Sequence, residues 1–300
     1  MLLHKNYTPL VNAYAQYLHT LGFASTTIYN YPIFIKHFLY YLQQQHNIQH
    51  IQYLTDSILQ NYFTHLENTT GKRTGKAFST SHLNTNFFAI DKFLEFLHSM
   101  GMTHAPMPPK YTVNKIAQKQ IVVLTTQQIQ TLYATIALLF NNYGMAQQEP
   151  RQMCVRLVLD LCYGCGLRRF EALHLKISDI DFNTKTIHLK QGKNYKDRLI
   201  PMSEGIYKSL QTFVYNYRQH FANKRPHYIY PFKSYALAQA LTFLVAHCND
   251  AHIQQLNPTL HSLRHSIATH LLQKGMSIEN IALFLGHNTL ESTAIYTHFI

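Results

Sequence analysis

The sequence predicts a mainly α-helical protein with one small antiparallel β-sheet, divided into a four-helix domain over residues 1–104 and an α+β domain over residues 121–300, with a linker at 105–120. Three observations lead there. Apolar residues recur every three or four positions through most of the chain, which is the period of a helix face. Alternation of period two is confined to a short stretch before residue 203, the size of a three-stranded meander. The run Met102 to Gln120 contains Pro106, Pro108 and Pro109 and lacks an apolar period, as a linker does.

The first helix is expected over residues 8–22, with apolar positions at 10, 11, 14, 17, 18 and 21 and a stop at Gly22. A second, from about Thr26 to Gln45, turns Ile28, Phe34, Ile35, Phe38, Leu39 and Leu42 inward, and Pro32 is expected to kink it or delay its start. Thr55 to Glu67 reads as a third. The fourth runs from Thr80 to Met100 with Leu83, Phe87, Ile90, Leu94 and Leu97 on one face, widened by Phe93 and Phe96. Between the last two lies Thr70-Gly-Lys-Arg-Thr-Gly-Lys76, a small basic loop whose Lys72, Arg73 and Lys76 are candidate phosphate contacts.

The second domain opens with Ile121-Val-Val-Leu124, a strand-like run, before Thr125 or Thr126 caps a helix to about Phe140. Met153 to Tyr163 is apolar on nearly all sides and so reads as a buried helix. It stops at Gly164-Cys-Gly166, and a new helix starts near Arg168. That arginine therefore sits at a helix N-terminus, where backbone amides and a guanidinium fork can converge on one anion. Three strands are expected at Asp179–Phe182, Thr186–Lys190 and Arg198–Met202, then amphipathic helices at about Ser203–Arg218 and Ser234–Cys248.

The last forty residues carry the chemistry. His261 and Arg264 share one face of a helix, beside the apolar row Leu260, Leu263, Ile267 and Leu271. A second helix is expected from Ser277 to about Leu285, a turn at Gly286-His287-Asn288, and a last short helix, capped by Thr289, that carries Tyr296.

Composition narrows the partners. Lys and Arg number 26 against 14 acids, a formal charge of +12, and both parts are basic: 9 against 4 before residue 121 and 17 against 10 after it. A polyanion is the expected partner, nucleic acid first. No apolar run reaches the roughly 18 to 20 residues of a membrane span, and the N-terminus lacks the apolar core of a secretion signal, so a cytosolic protein is expected. Cys154, Cys162, Cys165 and Cys248 are too few and scattered for a disulfide framework and are expected to be reduced. Cys162 and Cys165 have no second pair to complete a zinc set. His261 and His265 stand four apart, but the glutamate of H-E-x-x-H is absent, so no metal is expected there.

Four motifs and the tyrosine together resemble the active-site pattern of the tyrosine recombinases, the phage-integrase and Xer family. They are G-L-R-x-x-E at 166–171, the turn G-K-N-Y-K-D-R-L-I-P at 192–201, H-x-x-R at 261–264, L-G-H at 285–287, and Tyr296. Arg169, Phe170 and Asn194 are less typical occupants. The resemblance implies a core-binding domain of four helices that grips DNA opposite the catalytic domain, the two forming a C-shaped clamp. It also implies that Arg168, Lys193, His261, Arg264, His287 and Tyr296 are catalytic, with Glu171 as companion of Arg168 and Lys196 as rival to Lys193.

That set suits transfer of a DNA phosphodiester, which needs a nucleophile, stabilisation of charge on the non-bridging oxygens, and a proton for the leaving 5′ oxygen. Tyr296 attacks, Arg168 and Arg264 clamp the phosphate, His261 is the candidate base, Lys193 protonates the 5′ oxygen and His287 donates to a non-bridging oxygen. The resemblance further implies a 3′-phosphotyrosyl intermediate, with no cofactor, metal or ATP. It implies double-stranded DNA with paired inverted sites around a short spacer, exchanged by a homo-tetramer or a hetero-tetramer with a paralogue. The chain stops four residues after Tyr296, where the family commonly carries a further helix that docks on a neighbouring protomer. A type IB topoisomerase and a non-catalytic DNA-binding accessory protein are the alternatives.

Overall fold

A computed structural model describes residues 2–71, 75–102, 104–106, 121–190, 197–287 and 289–297. The chain packs as two compact units, Met1–Lys119 and Gln120–Ile300. In the first, α1 (Tyr7–Thr20), α2 (Ser25–His46), α3 (Asp56–Asn68) and α4 (Thr80–Ser99) surround a core of Tyr14, Leu18, Phe38, Leu39, Leu42, Phe63, Phe93, Leu94 and Leu97. Thr55 caps α3 and Ser79 caps α4 through their hydroxyls. The buried Tyr14 hydroxyl donates to the Ala89 carbonyl across the bundle at 2.9 Å, so a core tyrosine costs no unsatisfied polar group. Pro32 does not delay the start of α2. It is buried inside a continuous helix, where its missing N–H leaves the ladder one bond short.

The second unit holds a separate core built from α5 (Thr126–Ile136), α6 (Met145–Leu159), α7 (Arg169–His174), α8 (Glu204–Thr212), α9 (Ser234–His247), α10 (Ala251–Leu256) and α11 (Leu260–Gln273). After α11 come α12 (Ile278–Leu285) and α13 (Glu291–Ala294). The strands β1 (Ile180–Asp181), β2 (Thr186–Leu189) and β3 (Arg198–Pro201) pair antiparallel in the order β1-β2-β3, with Ile187 opposite Ile180 and Ile200.

Four expectations are corrected. Ile121–Leu124 is not a strand: its end is tied to α11, with the Leu124 amide donating to Ser266 Oγ at 2.8 Å, so a side chain replaces a sheet neighbour. The buried helix starts at Met145, not Met153, because its first two turns are polar. It also passes into a π-helical turn, Asp160–Gly164, with a buried aspartate that the apolar run hid. Asp160 accepts from Tyr133 at 2.9 Å and from Ser209 at 2.5 Å, and lies 3.6 Å from Arg156. Finally, Tyr296 lies in the turn after α13 rather than within it, and Thr289 Oγ1 meets Ser292 Oγ instead of capping the helix.

Among the described residues no helix is long and apolar enough to cross a membrane, and no group of three or more His, Cys, Asp or Glu could hold a metal ion. All four cysteines are free and buried.

Candidate active site

The site is assembled at the C-terminal end of α12. A helix leaves its last carbonyls without intrahelical partners and concentrates negative potential there. Here arginines supply the missing donors: Arg198 Nε binds the Phe284 carbonyl at 3.1 Å, and Arg168 binds Leu285 at 3.3 Å and Gly286 at 2.8 Å. Arg264 binds Leu285 at 2.6 Å and the Gly166 carbonyl at 2.5 Å. Two glycines permit this. Gly286 ends α12 at φ +65, and a Cβ on it would lie 2.5 Å from Arg198. Gly166, at φ +60, brings the chain before α7 against Phe284 and Leu285, which a Cβ would meet at 2.9 Å.

Glu171 binds the three arginines into one unit. Its carboxylate accepts from the Arg168 amide at 2.8 Å and the Arg168 guanidinium at 2.9 Å, and takes both terminal nitrogens of Arg198 at 3.1 and 2.8 Å. Arg264 stands 3.9 Å away. Burial alone would raise the Glu171 pKa, but the Arg198 and Arg168 contacts outweigh it and hold the group down to about 2. Three guanidinium charges thus face one carboxylate, and the cluster keeps a positive excess. Arg264 is buried, and desolvation and Arg168 lower its pKa to about 10, which still leaves it charged at neutral pH. The side chain of Arg168 is 31% exposed against 4% for Arg264, so it is the more open of the two to an incoming anion.

Tyr296 closes the site from the side of α13. It is 1% exposed, its amide bonded to the Thr293 carbonyl at 3.1 Å. Burial raises the phenol's pKa while Arg264 and Arg168 pull it down. Its hydroxyl meets His265 Nδ1 at 2.9 Å. His287 lies nearly parallel to the phenol ring, 6.4 Å between centroids, with its Nδ1 held by Thr293 Oγ1 at 2.8 Å. Desolvation, then Arg264, lowers the His287 pKa to about 4, so its ring is neutral and retains a second nitrogen for a ligand.

Five of the proposed catalytic residues, Arg168, His261, Arg264, His287 and Tyr296, are brought to this one region together with Glu171. His261 is exposed, one turn before His265 on α11, and its pKa is lowered by desolvation and then by Arg264, Arg168 and Arg169. Lys193 and its rival Lys196 lie outside the described residues, as do Lys72 and Arg73; Lys76, in the described end of that loop, is exposed. Sequence reasoning missed two members. Arg198 lies in the hairpin motif at 192–201, whose alternation marks it only as the start of a strand. His265 was weighed only as a metal ligand, although its spacing from His261 already placed both rings on one helix face.

A model of the phage integrase family matches residues 122–299. A tyrosine recombinase of Thermosipho africanus is 25% identical over 294 residues, covering 96% of this chain and 94% of that protein. Tyrosine recombinase XerC of Chlamydia caviae is 28% identical over 235 residues, covering 76% and 68%. A tyrosine recombinase of Pseudothermotoga lettingae is 30% identical over 152 residues, 48% of this chain and 49% of that protein, so the match spans about half the length of that relative. Among solved structures, XerH recombinase bound to a palindromic difH substrate has a TM-score of 0.66 at 18% identity, covering 91% of this chain and 76% of that one. The Tn1549 transposon integrase in complex with transposon right end DNA has a TM-score of 0.65 at 16% identity, covering 96% and 94%. At these identities the two structures establish the fold.

Proposed function

The chain belongs to the phage integrase family, and from that premise we propose that it recombines double-stranded DNA site-specifically, by cleavage and rejoining through a 3′-phosphotyrosyl intermediate. The observation that carries the reading is the placement of Tyr296 beside an arginine cluster whose positive charge exceeds its single carboxylate. A guanidinium has five N–H donors. The carbonyls and Glu171 engage three on Arg168 and two on Arg264, which leaves donors on both for the non-bridging oxygens of a phosphodiester. Glu171 fixes the fork geometry, so little reorganisation is needed when the trigonal-bipyramidal charge develops.

In this reading Tyr296 Oη forms a bond to phosphorus as the bond to the 5′ oxygen breaks. Lys193 gives that oxygen its proton and His287 donates to a non-bridging oxygen. Rejoining is the reverse attack by a 5′ hydroxyl, so the bond energy is conserved and neither metal nor ATP enters. The basic loop with Lys72, Arg73 and Lys76 adds phosphate contacts. The described partners of the structural relatives support DNA as the substrate: XerH is seen on difH, and a lambda integrase fragment as a dimer on a core site. Paired inverted sites around a short spacer, exchanged by a homo-tetramer or with a paralogue, complete the proposal.

Covalent capture tests it. Wild type and Tyr296→Phe are incubated with fragmented genomic DNA in EDTA, denatured in detergent, and the DNA that remains attached is sequenced. Wild type alone should retain DNA, joined at a 3′ end and at one recurring site. Attachment at scattered sites would point to a relaxing enzyme, and strong native binding without attachment to an accessory DNA-binding protein.

A further inference from the structure

His265 carries an inference that rests on the recombinase reading and deepens it. A tyrosine nucleophile must lose its proton, and a phenol raised above its usual pKa by burial does not do so by itself at neutral pH. The group in contact with that proton is not His261, which is exposed a turn away, but His265, whose Nδ1 is 2.9 Å from Tyr296 Oη. A protonated phenol donates, so Nδ1 is the accepting nitrogen and the ring's own proton sits on Nε2. The neighbouring His287 meets the phenol only as a near-parallel ring, 6.4 Å between centroids, with its Nδ1 held by Thr293.

We infer that His265 is the catalytic base for Tyr296 in strand cleavage. As Oη bonds to phosphorus, its proton passes to the lone pair of His265 Nδ1, giving an imidazolium. The electron pair of the breaking bond goes to the 5′ oxygen, which takes its proton from the general acid already assigned to Lys193. On rejoining, the imidazolium returns its proton to the departing phenolate.

The charges around His265 make this base dependent on substrate. On its own helix it faces His261 and Arg264, and from the segment after α12 it faces His287 and Tyr296. Desolvation, His261 and Arg264 hold its pKa down to about 4 in the free protein. It is therefore unprotonated and ready to accept. A phosphodiester bound to Arg264 offsets the nearest positive charge, and the affinity of Nδ1 for a proton rises when the nucleophile has a target.

The test uses the full chain and a nicked suicide duplex carrying the site recovered by covalent capture. His265→Phe and His265→Asn are each prepared with tyrosine or with 3,5-difluorotyrosine placed at position 296. Phenylalanine keeps the ring without an acceptor; asparagine keeps an acceptor near Nδ1 that cannot take a proton at neutral pH. With tyrosine, both variants should form the covalent complex about 100-fold more slowly than wild type, the usual scale of a lost general base, while binding the duplex as wild type does. With the more acidic difluorophenol, which ionises without help, the deficit should shrink to less than about tenfold. An equal deficit with both phenols would show that His265 only holds the ring in place and would overturn the inference, as would wild-type rates in either variant. A wild type that forms no covalent complex overturns the recombinase reading and this inference together, a result distinct from either.

Discussion

At the scale of residues, Glu171 decides whether the arginine cluster exists. Its carboxylate accepts four hydrogen bonds from Arg168 and Arg198 in a place that is 9% exposed. Removing one partner of a buried ion pair typically costs about 3–5 kcal/mol, because the remaining charges stay desolvated and unpaired. Glu171→Gln keeps the shape and one acceptor but leaves three guanidiniums with no counter-charge. A loss of about 3 kcal/mol in urea unfolding is expected, with cleavage slowed by about 100-fold or more once the clamp loses its geometry. Glu171→Ala should be no better. If Glu171→Gln cleaves DNA at the wild-type rate, the clamp does not depend on this carboxylate. Arg198→Lys tests the same unit from the other side, since an ammonium cannot serve both carboxylate oxygens and the Phe284 carbonyl in the fixed fork of a guanidinium. It should weaken cleavage more than it weakens DNA binding.

At the scale of elements, the end of α12 anchors the arginines of the site, and two glycines separate backbone strain from contact with that anchor. Gly275 and Gly286 both have positive φ, +85 and +65, but a Cβ on Gly275 meets nothing within 4 Å while one on Gly286 would strike Arg198. Alanine at 275 should therefore cost about 1 kcal/mol of backbone strain and leave cleavage alone. Alanine at 286 carries the same strain and in addition displaces Arg198, so it should slow cleavage at least about tenfold, the effect of a misplaced positioning group. Equal cleavage by the two variants would remove Arg198 from the machinery. Most helices of both units were legible from apolar period, and the meander from alternation, because each is written in local spacing; the short α10 and the polar first turns of α6 carry too little apolar period to be read. What could not be read is what depends on chains meeting. The arginine contacts to carbonyls 284–286 involve backbone atoms that carry no residue signature. The buried Asp160 sits in a run whose other members are apolar, and besides Arg156 on its own helix it is Tyr133 and Ser209, far away in sequence, that make it tolerable. His265 is likewise legible as a helix-face neighbour of His261 but not as the partner of a tyrosine thirty-one residues on.

At the scale of the whole molecule, the same desolvated site predicts how stability responds to acid. His265 and His287 have pKa values of about 4 in the folded chain against 6.5 unfolded, so the unfolded state binds protons first as pH falls. Their contribution is intact above 6.5 and is lost as pH falls from 6.5 through 4, about 3 kcal/mol each at most. His82, His261 and His270 are lowered too and act in the same direction. Asp160 opposes them. Its folded pKa is raised to about 6 from 3.8 by burial, so its contribution is full below 3.8 and is lost as pH rises through 6. Between 6.5 and 4 the histidine loss is thus partly offset. Below about 4.5 Glu171, held at about 2 in the fold, begins to lose its share just as the histidine loss fades, so stability should go on falling at a similar slope. Unfolding free energies measured by urea from pH 7.5 to 3.5 should change little above about 6.5 and then fall steadily. His265→Asn should reduce the slope near pH 5 by up to one proton, about 1.4 kcal/mol per pH unit. An unchanged slope in that variant would mean that His265 is charged in the resting protein. It could not then accept the phenolic proton, and the pH series and the fluorotyrosine kinetics would contradict each other.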